Sequence, residues 1–132
     1  MPYLIAYISG LVTFLAIDYV WLSRIASGFY RREIGDLMLD KPNLGVAVFF
    51  YLLYVAAIVV LVVNPALEKQ QWWTAALYGA LLGLVAYGAY DITNLATLKG
   101  WSVTVSLVDM LWGSALTAVT ATVSYFVTRA FA

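Results

Sequence analysis

The sequence predicts an all-helical membrane protein in which four transmembrane spans form a single bundle. Three observations lead there. The chain of 132 residues is 64% hydrophobic and 11% charged, where a soluble domain carries roughly 45–50% apolar and about 25% charged residues. Its mean hydropathy is +0.91. Four separate stretches reach the length of about 20 mostly apolar residues that a helix needs to cross a bilayer.

The first span is Tyr3–Leu22. It is expected to be retained rather than cleaved as a signal peptide. It lacks a basic leader, carries Asp18, and is followed by Ser23-Arg24 instead of a small-residue cleavage site. The connection from Ser23 to Asn43 is too long for a simple hairpin. Ile25, Phe29, Leu37 and Met38 supply an apolar side, and Arg24, Arg31, Arg32, Glu33, Asp36 and Asp40 a polar one. This predicts an interfacial helix, broken into short pieces by Gly28 and Gly35, that caps the bundle from below.

The second span, Gly45–Asn64, is apolar all round apart from its tyrosines and reads as lipid-facing scaffold. The third is Trp72–Leu95 and the fourth Val103–Val127. Pro42, Asn64-Pro65 and Gly100 mark span ends, as do Trp72, Trp73 and Trp101, whose indoles favour the headgroup level.

Orientation follows from the basic residues of the short loops. Arg24, Arg31, Arg32, Lys41 and Lys99 fall on one side, Lys69 and Arg129 on the other. That division predicts a cytoplasmic first and third loop, with both termini external. Asp18 and Asp91 then close inward-running spans and Asp109 opens the returning one. At 1.5 Å rise per residue, all three lie roughly 5–10 Å inside their helix ends.

These aspartates are the main functional signal, because a carboxylate within a span is costly and usually faces a protected interior. Two of them lie in matching segments. GLVTFLAIDYVWL (10–22) and GLVAYGAYDITNL (83–95) align without a gap and share Gly10/Gly83, Leu11/Leu84, Val12/Val85, Ala16/Ala89, Asp18/Asp91 and Leu22/Leu95. The pattern reads as a parallel internal repeat of spans one and three, an arrangement found in some transporters.

Each aspartate also has a donor three residues onward, on the same helix face. These are Trp21 after Asp18, Asn94 after Asp91 and Trp112 after Asp109. The third span carries the densest polar run in Tyr87, Tyr90, Asp91, Thr93, Asn94 and Thr97. Its hydroxyl and amide groups suit a cation or a neighbouring carboxylate. Three carboxylates at one level would titrate as a coupled unit. Asp91 is the strongest candidate for binding a ligand or proton. Asp18, near Arg24, is the weakest, since an interfacial ion pair would account for it. The bland alternative is that all three only tie helices together.

Several chemistries are excluded by composition. The chain has no cysteine and no histidine, and its net charge is zero. Disulfides, thiol catalysis and iron–sulfur clusters are ruled out, as is the usual general base. With no basic block to neutralise phosphates, a nucleic-acid partner is not expected. No cofactor is expected either: the aromatics read as interfacial anchors and core filling, without an axial ligand or phosphate cradle. The residues fix no metal and no catalytic group. Small residues recur at four-residue spacing in Ala75, Gly79 and Gly83, and in Gly113, Thr117 and Ala121. They form grooves for close helix packing within the chain or in a homodimer.

The segments DYVWL (18–22), YDITNLATLKGW (90–101) and DMLWGSALTAVTAT (109–122) resemble the signatures of the bacterial domain-of-unknown-function 2177 family of predicted membrane proteins. The resemblance runs over nearly the whole chain. It implies a four-span protein of the bacterial inner membrane, with Asp18, Trp21, Tyr90, Asp91, Thr93, Asn94, Thr97, Asp109, Trp112 and Gly113 as family-motif positions. It implies no activity. Three readings stay open beside it: a module binding or translocating a proton, cation or small polar solute; a membrane enzyme acting on a lipid or isoprenoid; and an accessory or assembly subunit of a larger membrane complex. Membrane lipids are the expected surroundings in all three.

Overall fold

A computed structural model describes residues 2–35 and 43–132, and these are helical throughout apart from short turns. The first helix, α1 (Pro2–Val20), passes through a π-helical stretch (Trp21–Ala26) into α2 (Ser27–Ile34). The second span is α3 (Leu44–Ile58), a second π-helical stretch (Val59–Val63) and α4 (Asn64–Lys69). The third is α5 (Trp72–Thr97) and the fourth α6 (Val103–Phe131). Four helices are thus long and apolar enough to cross a membrane: Pro2–Arg24, Leu44–Lys69, Trp72–Thr97 and Val103–Phe131.

The second span continues past Asn64-Pro65, where the sequence suggests an end. A proline inside a helix removes one backbone donor and crowds the carbonyl four residues back. Here the backbone has already slipped into π register, with the Asn64 N–H donating to the Val59 carbonyl. The slip lets Pro65 enter at the start of α4 without a break. The turn is made instead by Gln70, at φ 55° in the left-handed region. A side chain there is strained by roughly 1–2 kcal/mol. Gln70→Gly is therefore expected to stabilise the protein by about 1 kcal/mol in a detergent-solubilised thermal melt, leaving the helical circular dichroism signal unchanged.

The bundle is organised around α6. Its longest contact is with α5, its next with α1, and the pair α1 and α5 barely touch. Close approach to α6 is possible because the facing residues are small. A Cβ on Gly83 would run into the Gly113 carbonyl, and one on Gly79 would lie 2.9 Å from the Ala118 Cα. Ala75, Gly79, Gly83, Gly113, Thr117 and Ala121 are all buried, so both small-residue grooves are consumed inside the chain. Gly10 on α1 is packed less tightly: a Cβ there would lie 3.4 Å from Val55 and 3.8 Å from Ser124 of α6, both ordinary contacts. The two matching segments thus approach α6 from different sides.

Polar groups on α6 add direct ties. The Ser124 hydroxyl donates to the Ala6 carbonyl and the Ser114 hydroxyl to the Ala80 carbonyl, both at 2.8 Å. Tyr54 and Thr117 share a buried hydroxyl–hydroxyl bond of 2.8 Å. Such bonds contribute about 0.6 kcal/mol each within membranes.

The second span departs from the scaffold expectation on one side. Leu44, Phe49, Leu53 and Leu61 are exposed, but Tyr54, Val55, Ile58, Val62 and Val63 are buried in the core with Phe14, Leu116 and Tyr125. A uniformly apolar helix gives no periodic signal of which face turns inward, which is why its buried side is not legible in the sequence.

Candidate functional site

At the loop end shared by α1, α5 and the start of α6 lies a cavity of about 290 Å³. Its walls hold all three intramembrane aspartates, Asp18, Asp91 and Asp109. The expectation of a common level is met in this geometry. Seven of its thirteen lining residues are aromatic: Trp21, Tyr30, Tyr51, Tyr87, Tyr90, Trp101 and Trp112. The other three are Leu22, Ile34 and Val105, so among the described residues no basic side chain lines the space.

The three carboxyl groups differ in their partners. Asp18 is buried and accepts a 3.3 Å bond from the Trp112 indole N–H. Asp109 accepts a 2.7 Å bond from the Tyr30 hydroxyl. Asp91 is wholly buried beside the Asp109 carboxyl, and neither of its oxygens meets a hydrogen-bond donor among the described residues. The Trp21 indole N–H is likewise buried and unpartnered. Its ring stacks on Trp112, with centroids 4.2 Å apart and planes 9° from parallel.

Donors therefore reach the aspartates across helices rather than along them. The i,i+3 rule places Trp112 on the face of Asp109, but its indole spans the gap to Asp18 on α1. The expected ion pair of Asp18 with Arg24 is replaced by this indole bond, and Arg24 is exposed. The π-helical stretch beginning at Trp21 changes the register between the two residues. Proximity in sequence is no guide to pairing across such a slip.

Thr93, Asn94 and Thr97 do not line the cavity. Thr93 turns its hydroxyl back to the carbonyls of Ala89 and Tyr90, and Thr97 donates to the Thr93 carbonyl at 2.7 Å. A threonine in a helix can satisfy itself on its own backbone, and here both hydroxyls do so on an exposed face. Tyr87 and Tyr90 do reach the cavity, Tyr87 lying where a Cβ on Gly113 would be and Tyr90 edge-on to Trp101 at 5.6 Å.

Two tyrosines and a tryptophan join the site without a sequence signal that placed them there. Tyr51 belongs to the span that reads as scaffold, where Phe49, Phe50 and Tyr54 beside it leave nothing to single it out. Tyr30 arrives on α2, which contributes Tyr30 and Ile34 to the cavity wall. Glu33 on the same helix accepts from Ser102 at 2.9 Å, and Ser102 in turn caps α6 through the Val105 N–H. Burial and the neighbouring Asp109 carboxylate push the Tyr30 phenol up from its ordinary range, so it remains a proton donor to Asp109. Phe29 packs against Tyr30, whereas Leu37, Met38, Asp36, Asp40, Lys41 and Pro42 lie outside the described residues. Trp101, expected only at the interface, is part of the wall and donates its indole N–H to Ser106 at 3.0 Å.

Beyond Ile34, a second crevice of about 260 Å³ is lined by Arg31, Arg32, Glu33 and Lys99. Basic residues from the first and third loops thus gather at the end of the bundle where the aspartates lie.

Fold and site together define a small multi-pass helical membrane protein with a carboxylate-bearing cavity set within its spans. A family model described as "Predicted membrane protein (DUF2177)" matches residues 3–126. The chain belongs to this family. No curated protein and no solved structure matches it.

Proposed function

We propose that the cavity binds a small cationic or polar solute at the level of Asp18, Asp91 and Asp109, as one step of binding or translocation across the bacterial inner membrane. The observation that carries this reading is Asp91: a buried carboxyl whose two oxygens are unpartnered among the described residues, in the wall of a cavity that no described basic side chain lines. Tying helices together does not account for a carboxyl that meets no hydrogen-bond donor among the described residues and has the Asp109 carboxyl beside it, since a buried polar atom left unsatisfied costs about 1–3 kcal/mol. Occupancy by a positively charged or hydrogen-donating ligand would supply the missing partner.

The test is a thermal melt of purified protein against a panel of inorganic cations, amines and neutral polar solutes. At least one should raise the melting temperature in a saturable manner. A ligand at one hundred times its dissociation constant contributes about 2.7 kcal/mol. If no solute in the panel does so, the reading fails.

We also propose that both termini are external and that the loop end bearing Arg24, Arg31, Arg32 and Lys99 is cytoplasmic. Reporter fusions at the C-terminus should be active only on the outer side. Activity on the cytoplasmic side would invert the orientation and leave the cavity geometry untouched.

A further inference from the structure

Resting on that reading, the chemistry of the walls narrows the occupant. We propose that the cavity is selective for a small organic ammonium ion over a hydrated inorganic cation. An inorganic ion entering a low-dielectric site must exchange its water for several oxygen ligands in a compact shell, six to eight for a calcium ion. Among the described residues, the three aspartates do not converge into one such ligand set. What surrounds them is aromatic, with seven of the thirteen lining residues being Trp or Tyr.

An alkylated ammonium is weakly hydrated, carries its charge over a greasy surface, and is attracted to the faces of such rings. Asp91 supplies the countercharge. It is wholly buried, unpartnered at both oxygens among the described residues, and part of the cavity wall. The other two carboxylates already accept from Trp112 and Tyr30 and add negative potential from the flanks. Size agrees as well. At about 290 Å³, the space stands at the lower end of the roughly 300–1,000 Å³ range of small-molecule sites, larger than a bare ion requires. Arg31, Arg32 and Lys99 line the neighbouring crevice and not this one.

The experiment titrates protein in a maltoside detergent, which has no ammonium headgroup to compete, with tetramethylammonium, methylammonium, sodium, potassium and magnesium chlorides at constant ionic strength. Intrinsic tryptophan fluorescence and the melting temperature are the readouts. One of the two organic cations should bind at least about tenfold more tightly than any of the metals, the size of one desolvated cation–π contact. Trp21→Leu should remove most of that preference, whereas Trp21→Phe, which keeps a ring face, should retain it. Among the described residues the Trp21 N–H has no partner in hydrogen-bonding geometry, and Tyr30 is a polar neighbour that both changes affect alike. If Trp21→Leu does not fold, the preference of the native protein and of Trp21→Phe decides the matter. Saturable binding of sodium, potassium or magnesium as tight as that of the ammonium ions would overturn this inference and leave the cavity a cation site. Binding of neutral solutes alone would also overturn it. No binding by any solute would remove the proposed function along with it.

Discussion

Asp91→Asn is expected to abolish ligand-dependent stabilisation and, in the same protein without ligand, to raise the melting temperature. Both effects come from one fact. The native carboxyl is buried beside that of Asp109, and no described donor bonds either of its oxygens, so the folded state bears a desolvation cost that no described protein group offsets. Asparagine keeps a polar amide there but cannot be ionised, so the part of the cost that belongs to the charge should be recovered. Asp18→Asn should act with the opposite sign. Its carboxylate accepts from the Trp112 indole, and replacing a charged acceptor by a neutral one weakens that bond, lowering stability by about 1 kcal/mol. Paired melts of the two variants, with and without the best-binding solute, give the answer. A loss of stability in Asp91→Asn would show that the carboxyl is a structural tie after all.

The second large effect concerns α5 and α6. Gly83→Ala should destabilise the bundle by about 1–3 kcal/mol or prevent its assembly, because the added methyl falls on the Gly113 carbonyl and on backbone that cannot step aside. Gly113→Ala meets the Tyr87 ring instead. Since Tyr87 also lines the cavity, that variant should lose solute affinity together with stability. Gly28→Ala is the control. Nothing lies within 4 Å of its Cβ position on α2, and the gain in helix propensity of up to about 1 kcal/mol should leave it as stable as the native protein or slightly more so. Unfolding in a denaturing detergent series separates the three. Equal behaviour of Gly83→Ala and Gly28→Ala would contradict the packing described for α5 and α6.

Much of the site is legible in the sequence because charge in a span is rare. Asp18, Asp91 and Asp109 announce themselves against aliphatic neighbours, and helix rise alone, counted along each span, brings them to one level. The indoles are legible as residues but not as partners. Spacing along one helix says which residues share a face, and it cannot say that Trp112 reaches across to Asp18. Thr93 and Thr97 look like site residues from their polarity, yet their hydroxyls are satisfied by their own backbone. Tyr30 and Tyr51 reach the cavity from a connecting segment and from a helix without periodicity. Neither local propensity nor composition carries that information, which resides in how the elements dock.

The position of α6 has a bearing on how the molecule comes into being. Of the four spanning helices it is the last to leave the ribosome, yet it is the one that the others pack against. During synthesis α1 and α5 have few contacts with each other to settle into, and each brings an aspartate into the bilayer ahead of its shelter. Asp18 must await an indole on α6, and Gly83 a backbone turn on the same helix. Assembly is therefore weighted towards a late, long-range joining step. A nascent chain halted before α6 would be the form most exposed to quality-control proteolysis.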